Sequence, residues 1–191
     1  MVRSAALLFR ERGVHGTSFA DVLEHSGAPR GSIYHHFRGG KRELAVEATE
    51  WAGEVILAGT VRALRDHDPV SAIGALTDQW LAILRGSNYA AGCVIVAAAL
   101  EGDREPLLRD TAGRVFGAWE SALATALRDA GADDARAASI GTLIVAALEG
   151  AIVLARAQRS TVPLERVTDE LQLLVASALP TAAQPRSRSK T

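Results

Sequence analysis

The residues best suited to chemistry lie between Gly16 and Leu44, in the run GTSFADVLEHSGAPRGSIYHHFRGGKREL. In a helix from about Arg30 to Phe37, Ile33 and Phe37 fall on one face at a spacing of four. Arg30, Gly31, Ser32, Tyr34, His35 and His36 are then left facing outward. That face offers hydrogen-bonding side chains and one glycine that permits close backbone approach, which is what reading base edges in a DNA major groove requires. Thr17 and Ser18 offer hydroxyls at a helix start, and Lys41 gives a later helix a basic start. Each assignment has a plainer competitor. Thr17 and Ser18 serve equally as helix caps, and Tyr34 could be partly core. His35 and His36 are adjacent, so on a helix they diverge and make a poor metal pair.

These side chains need positioning elements, and the pattern around them is helical throughout. Ser18 and Asp21 have capping-box spacing, which predicts a short helix from Phe19 to His25 ended by Ser26-Gly27. Ala28-Pro29 separates it from the next short helix, and Arg38-Gly39-Gly40 ends that one. Before them, Ala6 and Phe9 mark a first helix stopped at Gly13. After them, a long helix runs from Lys41 to about Leu64 on the stripe Leu44, Ala48, Trp51 and Val55. Asp68-Pro69 opens a helix carrying Ile73, Leu76, Trp80 and Leu84. Cys93 to Leu100 reads as short and buried on all sides. Asp103 and Pro106 open a helix with Leu108, Val115, Trp119, Leu123 and Leu127, which ends at Gly131. Asp133 and Asp134 cap a helix over Ala135–Arg159. Val162-Pro163 begins the last, with Leu164, Val167, Leu171, Leu174 and Ala178. Residues 181–191 read as a polar, basic, disordered tail.

Composition agrees with a helical protein large enough to bury a core: 191 residues, 48% hydrophobic and 23% charged. One cysteine, Cys93, excludes a disulfide framework and a cysteine-rich zinc module. No secretory leader pattern opens the chain, which makes the cytoplasm the expected compartment. The net charge of −1 is unevenly spread. Residues 1–47 carry +2 and residues 186–191 carry +3, which leaves −6 on the remainder. Between Ala28 and Arg42 four residues are basic and none is acidic. A positive end on an acidic body points to an anionic partner.

Ala137 to Ala155 is nearly continuous apolar sequence and approaches the roughly 20 residues of a membrane span. Glu149 lies well inside it, and Ser139, Thr142 and several alanines dilute it, so a helix buried by protein is the better reading. Thr142, Ala146 and Gly150 make a small-residue seam at intervals of four. Its natural partner is the same helix of a second subunit, packed with the last helix and its Leu171 and Leu174 as a four-helix bundle. Glu149 itself could anchor a polar ligand group, bond across such an interface, or be exposed.

The order T-S-F-A-D-V, then S-G-A-P-R-G-S-I-Y-H-H-F, then K-R-E-L resembles the DNA-binding domain of the TetR family of bacterial transcriptional regulators, over about residues 4–48. Gly92-Cys93 through Leu100-Glu101-Gly102 is similar to the LmrA/YxaF-like branch. The resemblance implies an all-α chain: a helix-turn-helix domain over 1–46 and a helical ligand-binding and dimerisation domain over 47–180. It implies a homodimeric repressor, released from a palindromic operator by a small, largely apolar effector. It further implies DNA contacts from Thr17, Ser18, Arg30, Gly31, Ser32, Tyr34, His35, His36 and Lys41. Trp80, Cys93, Phe116 and Trp119 fall on helices that line the pocket in such folds, with ordinary core packing as the competing reading. Cys93 has no sequence neighbour that would activate it.

Two other classes of function compete with this one. A helical enzyme lacks support: there is no glycine-rich phosphate loop, no metal-spaced His/Cys/Glu set and no nucleophile elbow. No cofactor, metal or membrane partner is expected. A protein-interaction module without DNA binding fits poorly, because partner grooves want apolar anchors where this chain presents hydroxyl and basic groups.

Overall fold

The computed structural model describes residues 1–29, 31–101 and 104–180, with the backbone but not the side chains of Ile33 and Tyr34. Arg30, Asp103, the side chain of Tyr34 and the tail 181–191 therefore lie outside the described residues. Within them the chain forms nine helices and no strand. The first three are α1 (Val2–Arg12), α2 (Phe19–Ser26) and α3 (Ser32–His36). They are followed by α4 (Lys41–Asp66), α5 (Pro69–Gly86) and α6 (Val94–Ala99). The last three are α7 (Pro106–Asp129), α8 (Asp134–Gln158) and α9 (Val162–Ala178).

Local chemistry sets the ends. Ser18 and Asp21 close the expected capping box: the Asp21 N–H donates to Ser18 Oγ at 3.2 Å, and the Ser18 N–H donates to Asp21 Oδ2 at 2.6 Å. Gly27, at φ +68°, takes the left-handed conformation that ends α2 at no Cβ cost. Asp68 caps α5 by accepting the N–H groups of Val70 and Ser71, ahead of Pro69 in the first turn. Asp133 does the same for Ala135 and Arg136 at the start of α8.

One core runs through the molecule, from Phe9 and Leu44 through Trp119 and Leu148 to Val175. α4 packs on α1 and α7, α7 on α8, and α9 on α5 and α8. Where Gly141 of α8 meets α7, an added Cβ would stand 2.9 Å from the Glu120 carbonyl oxygen, so the two backbones approach closely there.

Several expectations need correction. Leu100 is 82% exposed, because α6 ends at Ala99 and the chain turns outward after it. Val55 is likewise exposed, on the rim of a cavity described below. α3 begins at Ser32 rather than Arg30, and α4 continues to Asp66. The boundary expected between residues 46 and 47 lies within α4, as the long helix expected from Lys41 implies. α8 does have the length and apolarity of a membrane span, with mean hydropathy 2.0, but half of that stretch is buried inside the protomer.

Thr142, Ala146 and Gly150 all lie on the exposed side of α8, beside the exposed Leu143, Val153 and Leu154. α9 adds Leu173, 66% exposed. Leu171 and Leu174 do not belong to that face. Leu171 is buried in the protomer's own core and Leu174 is half-buried against it, since α9 turns that stripe toward α5 and α8.

Candidate nucleic-acid interface and ligand cavity

Phe9, Val14, Val22, Phe37 and Leu44 are buried together at the head of the molecule and hold α1 to α4 around a small core. On that base Gly31, just before α3, and His35 and His36 on it face solvent. The His35 and His36 rings meet edge-on, with centroids 5.5 Å apart, although their backbone directions diverge. Ser32 is half-buried and its hydroxyl donates to the Pro29 carbonyl at 2.6 Å, fixing the start of α3. Lys41 donates from Nζ to the His15 carbonyl at 3.3 Å, which places its ammonium beside the turn before α2.

The α2 start departs from the expected phosphate clamp. Thr17 is 1% exposed and its hydroxyl donates to the Gly13 carbonyl at 3.0 Å, so it braces the turn and offers nothing to a partner. Ser18 is exposed, but its hydroxyl and N–H both engage Asp21. Those bonds hold the Asp21 carboxyl below its usual range, ionised at the head of α2.

Trp80 and Trp119, on α5 and α7, border one apolar cavity of about 160 Å³. Trp51 of α4 and Arg10 of α1 complete its wall, so the cavity touches both the head and the body. Two of its lining residues carry a buried donor without a hydrogen-bond partner, Trp119 Nε1 and Arg10 Nε, both closed to solvent. Burial also lowers the basicity of the Arg10 guanidinium. Phe116 does not reach this cavity and packs half-buried against the core. Cys93 is also absent from its wall. It lies instead on a second cavity of about 390 Å³ with Glu149, between α1, α6 and α8. Burial, and then the neighbouring Glu149 charge, push the Cys93 thiol well up, which makes it a poor nucleophile.

Arg10 is a cavity-wall residue that sequence pattern alone does not single out. Its spacing from Ala6 and Leu7 was the available signal, since positions three and four apart share a helix face. A polar staple joins the same region. Arg156 of α8 donates from Nη2 to the carbonyls of Glu11 (3.2 Å) and Ala90 (2.8 Å), and the Gly92 N–H donates to the Arg10 carbonyl at 2.8 Å. His15 pairs with Glu101 at 3.1 Å, and Arg42 with Glu105 at 3.7 Å.

The family model described as "Bacterial regulatory proteins, tetR family" matches residues 2–48. A second, "Transcriptional regulator LmrA/YxaF-like, C-terminal domain", matches residues 69–170. An HTH-type transcriptional regulator of Mycobacterium tuberculosis is 41% identical over 187 residues, 94% of each chain. The HTH-type transcriptional regulator LmrA of Bacillus subtilis is 30% identical over 173 residues, 88% of this chain and 90% of that one. The crystal structure of regulatory protein TetR from Rhodobacter sphaeroides shares the fold, with a TM-score of 0.82 at 20% identity over 91% of this chain and 95% of that one.

Proposed function

We propose, from the premise that this chain belongs to the TetR family of bacterial transcriptional regulators, that it is a homodimeric repressor released from its operator by a small, largely apolar effector. The chain is a DNA-binding transcriptional regulator. The observation that carries the finer reading is the apolar cavity walled jointly by α1 of the head and by α4, α5 and α7 of the body. An occupant there touches the DNA-binding end directly through Arg10. Its wall, rich in tryptophan and aliphatic side chains, calls for an effector with an apolar body.

In this reading Gly31, Ser32, His35 and His36 face the groove, together with Arg30 and Tyr34 by resemblance. Ser18 and Lys41 lie near phosphate, residues 1–46 form the DNA-binding part, and residues 47–180 carry the effector and the dimer face. Two recognition helices must sit about 34–36 Å apart to enter successive grooves of a palindromic operator, so a modest change of separation suffices for release. The cytoplasm is the compartment this function requires.

Two substitutions test the DNA assignment by titration against the chain's own upstream DNA and against random duplex. Arg30→Ala should cost roughly 1–3 kcal/mol on operator and much less on random DNA, as expected for a lost base contact. Lys41→Ala should weaken both alike and reduce the salt slope by about one. An unchanged slope removes Lys41 from the phosphate contacts.

A further inference from the structure

Lys41 is held in place by a turn to which it does not belong. That turn spans residues 13–16, between α1 and α2. It is tight: Gly13 sits at φ +77°, and a Cβ added at Gly16 would meet the Arg12 carbonyl. The Thr17 hydroxyl bonds the Gly13 carbonyl, and Val14 is buried within the turn. His15 is exposed, yet both of its backbone groups are engaged by residues far along the chain. Its carbonyl accepts from Lys41 Nζ at 3.3 Å. Its N–H donates to Glu101 Oε1 at 3.3 Å, and its ring Nδ1 stands 3.1 Å from Glu101 Oε2. Glu101 thus grips the turn with both carboxylate oxygens.

Glu101 belongs to the body. It follows α6, and its own N–H donates to the Ala98 carbonyl at 3.2 Å. Its side chain is only 12% exposed, so the carboxylate has little freedom. At the head of α2, Arg12 stands 3.8 Å from Asp21, and the Lys41 charge acts on Asp21 as well. Lys41, Arg12 and the exposed Ser18 therefore gather at one helix start. An ammonium carries three donors, so the bond to His15 leaves two for a phosphate.

We propose that Glu101 is a positioning residue for DNA binding: its carboxylate fixes the turn at His15, and the His15 carbonyl fixes the Lys41 ammonium for phosphate. This rests on the reading of Lys41 as a phosphate contact. A turn and a long lysine side chain already ordered in the free protein lose less entropy when DNA arrives. The proposal fixes the sign of the effect. An acidic side chain near a DNA-binding surface repels the duplex, so deleting one should by charge alone tighten binding. Deleting Glu101 should weaken it. Because His15 is exposed, water replaces the lost bonds and the fold survives.

Titration of full-length variants with the chain's own upstream duplex and with a random-sequence duplex, over a range of salt, is the test. Glu101→Ala should weaken both about three- to tenfold and remove part of the salt slope that Lys41→Ala removes. Glu101→Gln is as uncharged as alanine but keeps an oxygen for the His15 N–H, and it should recover most of the loss. Added to Lys41→Ala, Glu101→Ala should cost less than about twofold, because the two act as one unit. Its melting temperature should stay within about 4 °C of wild type. An alanine variant that binds as tightly as wild type or more tightly would overturn the proposal, as would a glutamine variant no better than alanine. An unchanged salt slope in Lys41→Ala would remove the phosphate reading and the proposal with it. A full Glu101→Ala loss on top of a slope-lowering Lys41→Ala would overturn the proposal alone.

Discussion

Trp119→Ala should yield a dimer that holds operator DNA with near-normal affinity and no longer responds to its effector. Trp119 is 1% exposed and walls the apolar cavity. The DNA contacts proposed above lie before Arg42, and Trp119 is not among them. Removing a buried tryptophan costs about 3–5 kcal/mol, which for a chain of this size lowers the melting temperature by about 6–20 °C. Thermal unfolding must accompany the DNA-release assay for that reason. Trp119→Phe provides the milder variant, keeping the ring and deleting the donor. A folded variant of either kind with a normal effector response would reduce Trp119 to ordinary core.

Gly150→Leu should break the dimer without harming the protomer. Gly150 is exposed on α8, and a Cβ added there meets nothing within 4 Å, so the protomer has room for the new side chain. The cost falls entirely on a partner helix packed against the Thr142–Ala146–Gly150 seam. Overpacking of this kind costs about 1–3 kcal/mol per site, and a two-fold axis presents the site twice. Sedimentation at micromolar concentration should show a shift toward monomer with an unchanged helical circular dichroism spectrum. A persistent dimer moves the interface off this seam.

The helices were legible because their signals are local. The capping box at Ser18 and Asp21, the caps at Asp68 and Asp133, and Pro69 and Pro163 in first turns are each written within four residues. The pairing of Trp80 with Trp119 across one cavity was also reachable, since each sits on an apolar stripe. What stayed hidden depends on rotation about a helix axis or on a partner far along the chain. Thr17 has the right residue type for a phosphate contact, but the turn from Gly13 folds over its hydroxyl. Leu171 and Leu173 are equally apolar, and only the packing of α9 on α5 and α8 decides which faces outward. Cys93 and Phe116 missed the cavity for the same reason. Glu149 looked ambiguous because nothing in its own helix reveals that α1 and α6 bury it.

The Arg156 staple has a consequence for how the molecule comes apart. It ties the end of α1 to α8 and to the turn before α6. The Gly92 to Arg10 bond, the unbroken α4 and the shared core add to it. Opening the head alone would strip these bonds and expose Phe9 and Leu44, so the head is not a separate foldon. The backbone amides of α1 should thus exchange with solvent only through unfolding of the whole protomer, at the same protection as those of α8. Linkage then makes DNA bound at one end and effector bound at the other draw on a single cooperative reserve of stability, each raising the melting temperature of both.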